Sequence, residues 1–300
     1  MVRWITLAAM CLVALAACSG GAPDPRSDDS PTFGSVLVLA DQDLRPMIED
    51  QRRMFEATYG KAQVEVRYLP EAELTRAMLN DSVRAVFGTF RPGGEQEAYF
   101  RTRNMTPFTE VVATDAIAVL VHPAGPDSLT LEALRELLSQ GTLDGKSRPA
   151  LFDATGSGVA RGLVDSLFGG LAPSALRAAA LDGPDAVVAR VRDDSAAIGF
   201  LGFGLLSDLD DPACRALLAG VKVCRISSGA GTALLPTQGT LKDTRYPLRR
   251  PVIMLVTEGK SGLGTGFASF VAGHKGQRII LKQGLAPAHT PAREVMIVTP

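Results

Sequence analysis

Apolar positions along this chain fall into two alternating rhythms. Residues 36–39 (VLVL) form a short β-rich run that ends at Ala40-Asp41-Gln42-Asp43. Met47, Ile48, Met54 and Phe55 then recur at helical spacing, and Gly60 closes the run. AQVEVRYL alternates as a strand, EAELTRAMLN predicts a helix, RAVFGTF a strand and GGEQEAYFRTRN a further helix. This β-α-β-α-β order predicts parallel strands joined by crossover helices.

Two more strands, TEVVAT and AIAVLVHP, are predicted on either side of Asp115, which reads as a turn cap. TLEALRELLSQG predicts a helix with Leu131, Leu134, Leu137 and Leu138 on one face and Thr130 as its cap. A strand in RPALFDA, helices over 159–168 and from Pro184, and strands in AAIGFLGF and VKVCRI make a second α/β unit, about 122–228. YPLRRPVIMLVTEG returns to extended character, GLGTGFASFVAG and KGQRIILKQG predict helices, and REVMIVTP a closing strand. The order predicts two α/β lobes joined by more than one strand. A single sheet through all the strands is the rival arrangement.

The N-terminus changes the picture of where this fold works. MVRWITLAAMCLVALAAC places one Arg before an apolar run and small residues before Cys18, the pattern of an export signal. Leu15-Ala16-Ala17-Cys18 resembles the lipobox of bacterial lipoproteins. That resemblance implies a signal over 1–17 and Cys18 lipidated with acyl chains such as palmitate, anchoring the protein to a bacterial membrane facing the periplasm or exterior. A membrane-spanning anchor is the other reading, for which the run is short. Residues 18–34 lack apolar periodicity and are rich in Gly, Pro and Asp, so a flexible tether is expected before a fold that starts near Ser35.

The formal net charge is −1 and no basic block occurs, which leaves nucleic-acid binding without a footing. Cys214 and Cys224 remain after the signal and lipid sites, and an oxidising envelope favours a disulfide between them over two separate buried thiols. His122, His274 and His289 are scattered, so neither a metal nor a cofactor is expected.

Ligands of parallel sheets sit beyond the carboxyl ends of strands, where helices begin. The sequence has three such places: Ala40-Asp41-Gln42-Asp43, Thr89-Phe90-Arg91, and Thr155-Gly156-Ser157-Gly158-Val159. In the third, hydroxyls, close-approach glycines and a helix start make a nest for an anion. Ordinary capping by Thr155 or Ser157 explains the same residues. Phe90 reads first as packing, while Arg45, Arg91 and Arg161 are charge partners available to an anion and Asp41, Asp43 and Asp153 oppose one unless protonated or paired. ATGSGVAR lacks the Walker spacing and lysine, and GLGTG lacks a third glycine at the required offset and follows no clear strand. TGSGV lacks the Gly-x-Ser-x-Gly elbow, so catalysis by Ser157 is not expected.

Several segments, in order, resemble the periplasmic phosphate-binding proteins of the phosphate ABC transporter, within the type II solute-binding superfamily. They are residues 35–88, TDAIAVLVHPAGPDSLTLEALRELLSQG, AAIGFLGFGLLSD, RYPLRRPVIMLVTE and GFASFVAGHKGQRIILKQGLAP. The resemblance covers nearly all of the mature chain. It implies a two-lobed type II periplasmic binding protein fold, each lobe a mainly parallel sheet flanked by helices, with lobe 1 over 35–115 and 232–300 and lobe 2 over 116–231.

It also implies a non-enzymatic, monomeric protein that closes on a small anion, phosphate foremost, and docks on ABC permease subunits. Ala40 to Asp43, Thr89 to Arg91 and Ser157-Gly158-Val159 fall where the family binds its solute. This chain departs from the pattern in three places. Val159 stands where the family has Thr, Asp153 where it has Arg, and Thr89-Phe90-Arg91 where an Asp accepts the phosphate proton. An envelope binding or sensor module that has lost phosphate is therefore the alternative.

Overall fold

The computed structural model describes residues 29–80, 82–170, 176–229, 231–259 and 261–290. Strand β1 (Phe33–Asp41) runs through a 3-10 turn (Gln42–Leu44) into α1 (Arg45–Thr58). Then come β2 (Lys61–Leu69), α2 (Glu71–Ala77), β3 (Val83–Gly88) and α3 (Gly94–Thr102). β1 lies between β2 and β3, parallel to both, as the alternation predicts.

The two strands expected around Asp115 are one: β4 (Phe108–Val121) continues straight through it. Thr114-Asp115 breaks the apolar run without breaking the strand, because Arg250 stands directly opposite Asp115 on an antiparallel neighbour and neutralises it.

Beyond β4 the chain forms β5 (Ser128–Thr130), α4 (Leu131–Gln140), a small hairpin of β6 (Thr142–Leu143) and β7 (Lys146–Ser147), and β8 (Ala150–Phe152). Thr130 caps α4 through its hydroxyl, which accepts from Ala133 N at 3.0 Å, as expected. Next are α5 (Gly158–Phe168), β9 (Ala179–Ala180), α6 (Pro184–Asp193), β10 (Ile198–Gly202) and α7 (Pro212–Leu218). VKVCRI divides at Cys224 into β11 (Lys222–Val223), paired with β4, and β12 (Arg225–Ser227), paired with β5. The return consists of α8 (Gln238–Lys242), β13 (Arg249–Val256), α9 (Leu263–Ala272), α10 (His274–Lys282) and β14 (Ala286–Pro287).

β4 organises the molecule. Residues 108–116 pair with β13, and residues 117–121 pair with β10, so the hydrogen-bonded path β2-β1-β3-β13-β4-β10-β8-β9 is continuous. Each half of β4 belongs to a different core. On the β13 side, Val38, Ile48, Phe55, Phe87 and Phe267 pack under α1 and α9, and Leu39, Leu74, Phe90 and Phe100 fill the opposite face. On the β10 side, Val119, Leu137, Leu163, Phe200 and Tyr246 form one core, and Leu120, Val187, Val191 and Leu201 the other.

Two expectations are corrected. Cys214 and Cys224 are free thiols. Cys224 lies in the core that contains Val119, whereas α7, which carries Cys214, packs beside α6 over the face of Leu120, so the sheet separates them. Burial pushes the Cys224 thiol up to about 12, and that of Cys214 also upward, as for inert core thiols. Order also begins before Ser35: Ser30 pairs with Phe33, and Leu263 N at the start of α9 donates to Asp29 Oδ1 at 2.8 Å. The signal, Cys18 and the closing REVMIVTP strand lie outside the described residues.

Candidate functional site

Strand tips deliver the three loops to one place, at the crossing between the two halves. β1 ends in Asp41, whose carboxylate caps the following 3-10 turn by accepting from Asp43 N at 3.1 Å. β3 ends at Gly88 and leads into Thr89, and β8 leads through Asp153 to Ser157, the N-cap of α5. Contacts across the gap are direct. Gln42 Nε2 donates to Asp153 Oδ2 at 2.7 Å, and Ala72 N donates to Gly156 O at 3.0 Å. Gly156 holds a φ of 72° there and faces Ala72, so both its conformation and its missing side chain are used.

At the centre lies a carboxylate the sequence reading did not select. Glu71, the first residue of α2, is buried, and its carboxylate accepts from Arg161 Nε, from Arg161 Nη2 at 3.0 Å and from Thr89 Oγ1 at 3.1 Å. Arg161 Nη2 also donates to Thr89 O at 2.7 Å, and Nη1 to Asp165 at 2.5 Å. Burial disfavours the Arg161 charge, but Glu71 and Asp165 outweigh it and hold the guanidinium above its ordinary value. A Cβ on Gly158 would stand 3.1 Å from Glu71 Oε2, so the carboxylate sits against the first turn of α5, where N–H groups and the helix field favour an anion.

Beside it, Asp41, Asp43, Asp115 and Asp153 are all buried. Arg250, on β13, donates from Nε to Asp115 at 2.9 Å and from Nη2 to Asp43 at 3.0 Å. Asp115 also accepts from Gly204 N. Burial opposes the Arg250 charge, yet Asp115, Asp43 and Asp41 together hold it well above the ordinary arginine value. Burial pushes Asp41 up to about 7 against the pull of Arg250, with Glu71 and Asp153 adding to the rise. Burial and then Asp153 push Asp43 well above its usual range. Asp41 Oδ2, Asp43 Oδ1 and Arg250 Nη1 have no hydrogen-bond partner among the described residues, which is costly for buried polar atoms and uncommon in a mere structural network.

A model of the PBP superfamily domain matches residues 26–275. The chain belongs to the PBP superfamily. No curated protein sequence matches it. Among solved structures, it is similar to a putative phosphate ABC transporter substrate-binding protein with bound phosphate from Clostridium perfringens. The TM-score is 0.70 at 16% identity, over 85% of this chain and 100% of that one. An ABC-type phosphate transport receptor from Vibrio cholerae follows at 0.64 and 16%, with the same coverage. The regulatory domain of CcmR from Synechocystis PCC6803 in complex with 2-PG reaches 0.54 at 12%, over 80% of this chain and 96% of that one. At these identities the likeness establishes the fold, a mixed α/β, two-lobed periplasmic binding protein architecture.

Within this superfamily member, the structure gathers Asp41, Gln42, Asp43, Thr89, Asp153, Gly156, Ser157, Gly158 and Arg161 and leaves the other candidates elsewhere. Ala40 and Val159 are core residues, and Phe90 packs with Leu74 and Phe100. Thr155 is exposed. Arg45 stacks over Tyr68 at 4.1 Å. Arg91 is exposed on a separate cavity of about 430 Å³ with Phe100, Met105 and Leu255. The Ser157 hydroxyl is engaged as a cap, accepting from Val159 N at 3.1 Å and donating to Asp153 Oδ1 at 2.8 Å. Asp115 is a buried ion-pair member and not a turn cap, because β4 makes no turn there.

Glu71 and Arg250 were missed, and Asp115 was singled out only as a turn cap. Glu71 had a usable signal, since Pro70-Glu71 follows β2 as a strand-end helix start of the same kind as the three loops chosen.

The tightness of the junction yields a test. A Cβ on Gly158 would lie 2.5 Å from Asp41 Oδ2 and 3.1 Å from Glu71 Oε2 and Thr89 Oγ1. Gly158→Ala is expected to wedge the loops apart and cost ~1–3 kcal/mol, read as a lower urea midpoint and a larger radius in solution scattering. Unchanged values would mean the loops do not meet this closely in solution.

Proposed function

We propose that this chain is a lipid-anchored solute-binding protein of a bacterial envelope that captures a small oxyanion, phosphate foremost, and presents it to an ABC permease. It performs no chemistry. In this reading lobe 1 comprises 35–115 and 232–300, lobe 2 comprises 116–231, and the anchor is Cys18. Among the described residues no helix is long and apolar enough to cross a membrane.

One observation carries the reading. Where the strand-end loops of both lobes meet, an anionic group is held by two guanidinium N–H donors and a hydroxyl at a helix start. That group is Glu71's own carboxylate, and an oxyanion satisfies the same donors. Burial raises Asp41 to about 7, so below that pH it is a further donor in place of an opposing charge, while Asp43 is matched by Arg250.

The second reading, a binding or sensor module without phosphate, is favoured by the contact of Gly158 with Asp41, Glu71 and Thr89, which leaves no room between those groups in this closed form. Calorimetric titration of the purified protein with phosphate, sulfate and arsenate at pH 6 and pH 8 separates the two. Saturable heat with one oxyanion, stronger at pH 6, is expected. No heat with any of them at either pH leaves the module reading in its place.

A further inference from the structure

We propose that Glu71 is a built-in occupant of the anion seat that holds the two lobes closed when no solute is bound. This rests on reading that seat as the solute site. The residue belongs to the β2–α2 junction of one half, while its strongest partner, Arg161, projects from α5 of the other. Its carboxylate is buried, and both oxygens are engaged by Arg161, with Thr89 adding a donor to Oε2.

The same guanidinium crosses further to the Thr89 carbonyl at 2.7 Å, so one side chain ties together both loops of the opposite half. Neighbouring Ala72 adds the backbone bond to Gly156 O at 3.0 Å. The first residues of α2 are therefore docked on the start of α5 by an ion pair and a main-chain bond.

An ion pair in this place has a consequence that a surface pair lacks. Among the described residues Arg161 is the one guanidinium bonded to Glu71, and its third nitrogen, Nη1, bonds Asp165. Arg250 binds Asp115 and Asp43 through Nε and Nη2, which leaves Nη1 as its one nitrogen without a partner among the described residues. A free anion reaching the α5 N-terminus competes with a tethered carboxylate, whose high local concentration favours the internal partner. Displacement of Glu71 is then the step that couples solute entry to movement of α2, and only an oxyanion that outbids one carboxylate at Arg161, Thr89 and the helix start is retained.

The test compares the parent protein with Glu71→Ala and Glu71→Gln by solution scattering and by titration with inorganic phosphate. Circular dichroism verifies that each variant is folded. Without phosphate, Glu71→Ala is expected to have a larger radius of gyration than the parent. Glu71→Gln, which keeps the shape and loses the charge, falls between them. With phosphate, Glu71→Ala contracts and binds at least tenfold more tightly than the parent.

A Glu71→Ala protein as compact as the parent overturns the proposal, and if both then bind phosphate equally the oxyanion reading survives it. A variant that opens but is contracted by neither phosphate, sulfate nor arsenate upholds Glu71 as the closing residue and removes the oxyanion reading. Should Glu71→Ala fail to fold, the scattering of Glu71→Gln decides: equality with the parent overturns the proposal, and expansion supports it.

Discussion

Arg250→Met is expected to destabilise the protein by ~3–5 kcal/mol, the range for removing one partner of a buried ion pair. Arg250 is only 3% exposed, and its partners Asp43 and Asp115 are 1% and 0% exposed. The substitution leaves two buried carboxyls without a cation, one in the 3-10 turn after β1 and one on β4, the strand shared by both cores. Asp115 retains the Gly204 N–H, and Asp43 retains nothing comparable from its own side chain. Asp43 can escape by holding a proton, so the loss grows as pH rises.

Urea denaturation at pH 7 measures the effect. Combining Arg250→Met with Asp115→Asn should recover part of the loss, since the asparagine amide keeps the contact to Gly204 without the orphaned charge. A single-variant loss under ~1 kcal/mol would mean that Arg250 contributes no more than an exposed pair does.

The fold was largely legible because its strands and helices obey simple periods. β1, β2 and β3 read as alternating or apolar runs between helical patterns, and their parallel pairing followed from that order. The error at Asp115 has a physical origin. Local reading treats Thr-Asp in a strand as a break, and only the cross-strand register to Arg250, 135 positions away, reveals that the charge is matched. The cysteine pairing failed for a related reason. Nearness in sequence and a plausible compartment do not say which face of a sheet each thiol occupies, and that depends on the division of VKVCRI at Cys224.

At the site, the rule that ligand groups lie beyond strand ends selected loops that the structure brings together, but not Glu71, whose carboxylate bonds Arg161 between them. Ser157 was read for its hydroxyl, which proves to be spent on Asp153 and the helix cap. Arg161, one turn into α5, makes the ion pair with Glu71 instead. Its partner Glu71 resembles any acidic residue in the first turn of a helix, where capping alone explains its presence. Distinguishing the two roles requires knowing that α2 abuts α5, a tertiary fact with no local signature.

Stability is expected to fall as pH rises from about 4 through 7, the reverse of the slope that paired carboxylates give. Burial raises Asp41 from 3.8 to about 7 in the folded chain, and Asp43 moves the same way. Between those values the folded state binds a proton that the unfolded state has released, so each step up in pH favours unfolding. Below the unfolded value both states are protonated and the term vanishes; above the folded value the full penalty applies, ~4 kcal/mol for Asp41 alone. The groups facing Asp41 are Arg250, which resists the rise, and Glu71, Asp43 and Asp153, of which Glu71 and Asp153 add to it.

Urea midpoints at pH 5 and pH 8 should therefore differ, with pH 5 the more stable. Asp41→Asn keeps an acceptor for Asp43 N and cannot ionise, so it should flatten the profile and raise the pH 8 midpoint. Equal midpoints in the parent, or a higher one at pH 8, would contradict a proton-holding Asp41. The same cycle bears on the cleft: if Asp41 loses its burial when the lobes part, closure takes up a proton, and mild acidity favours the closed form over the open one.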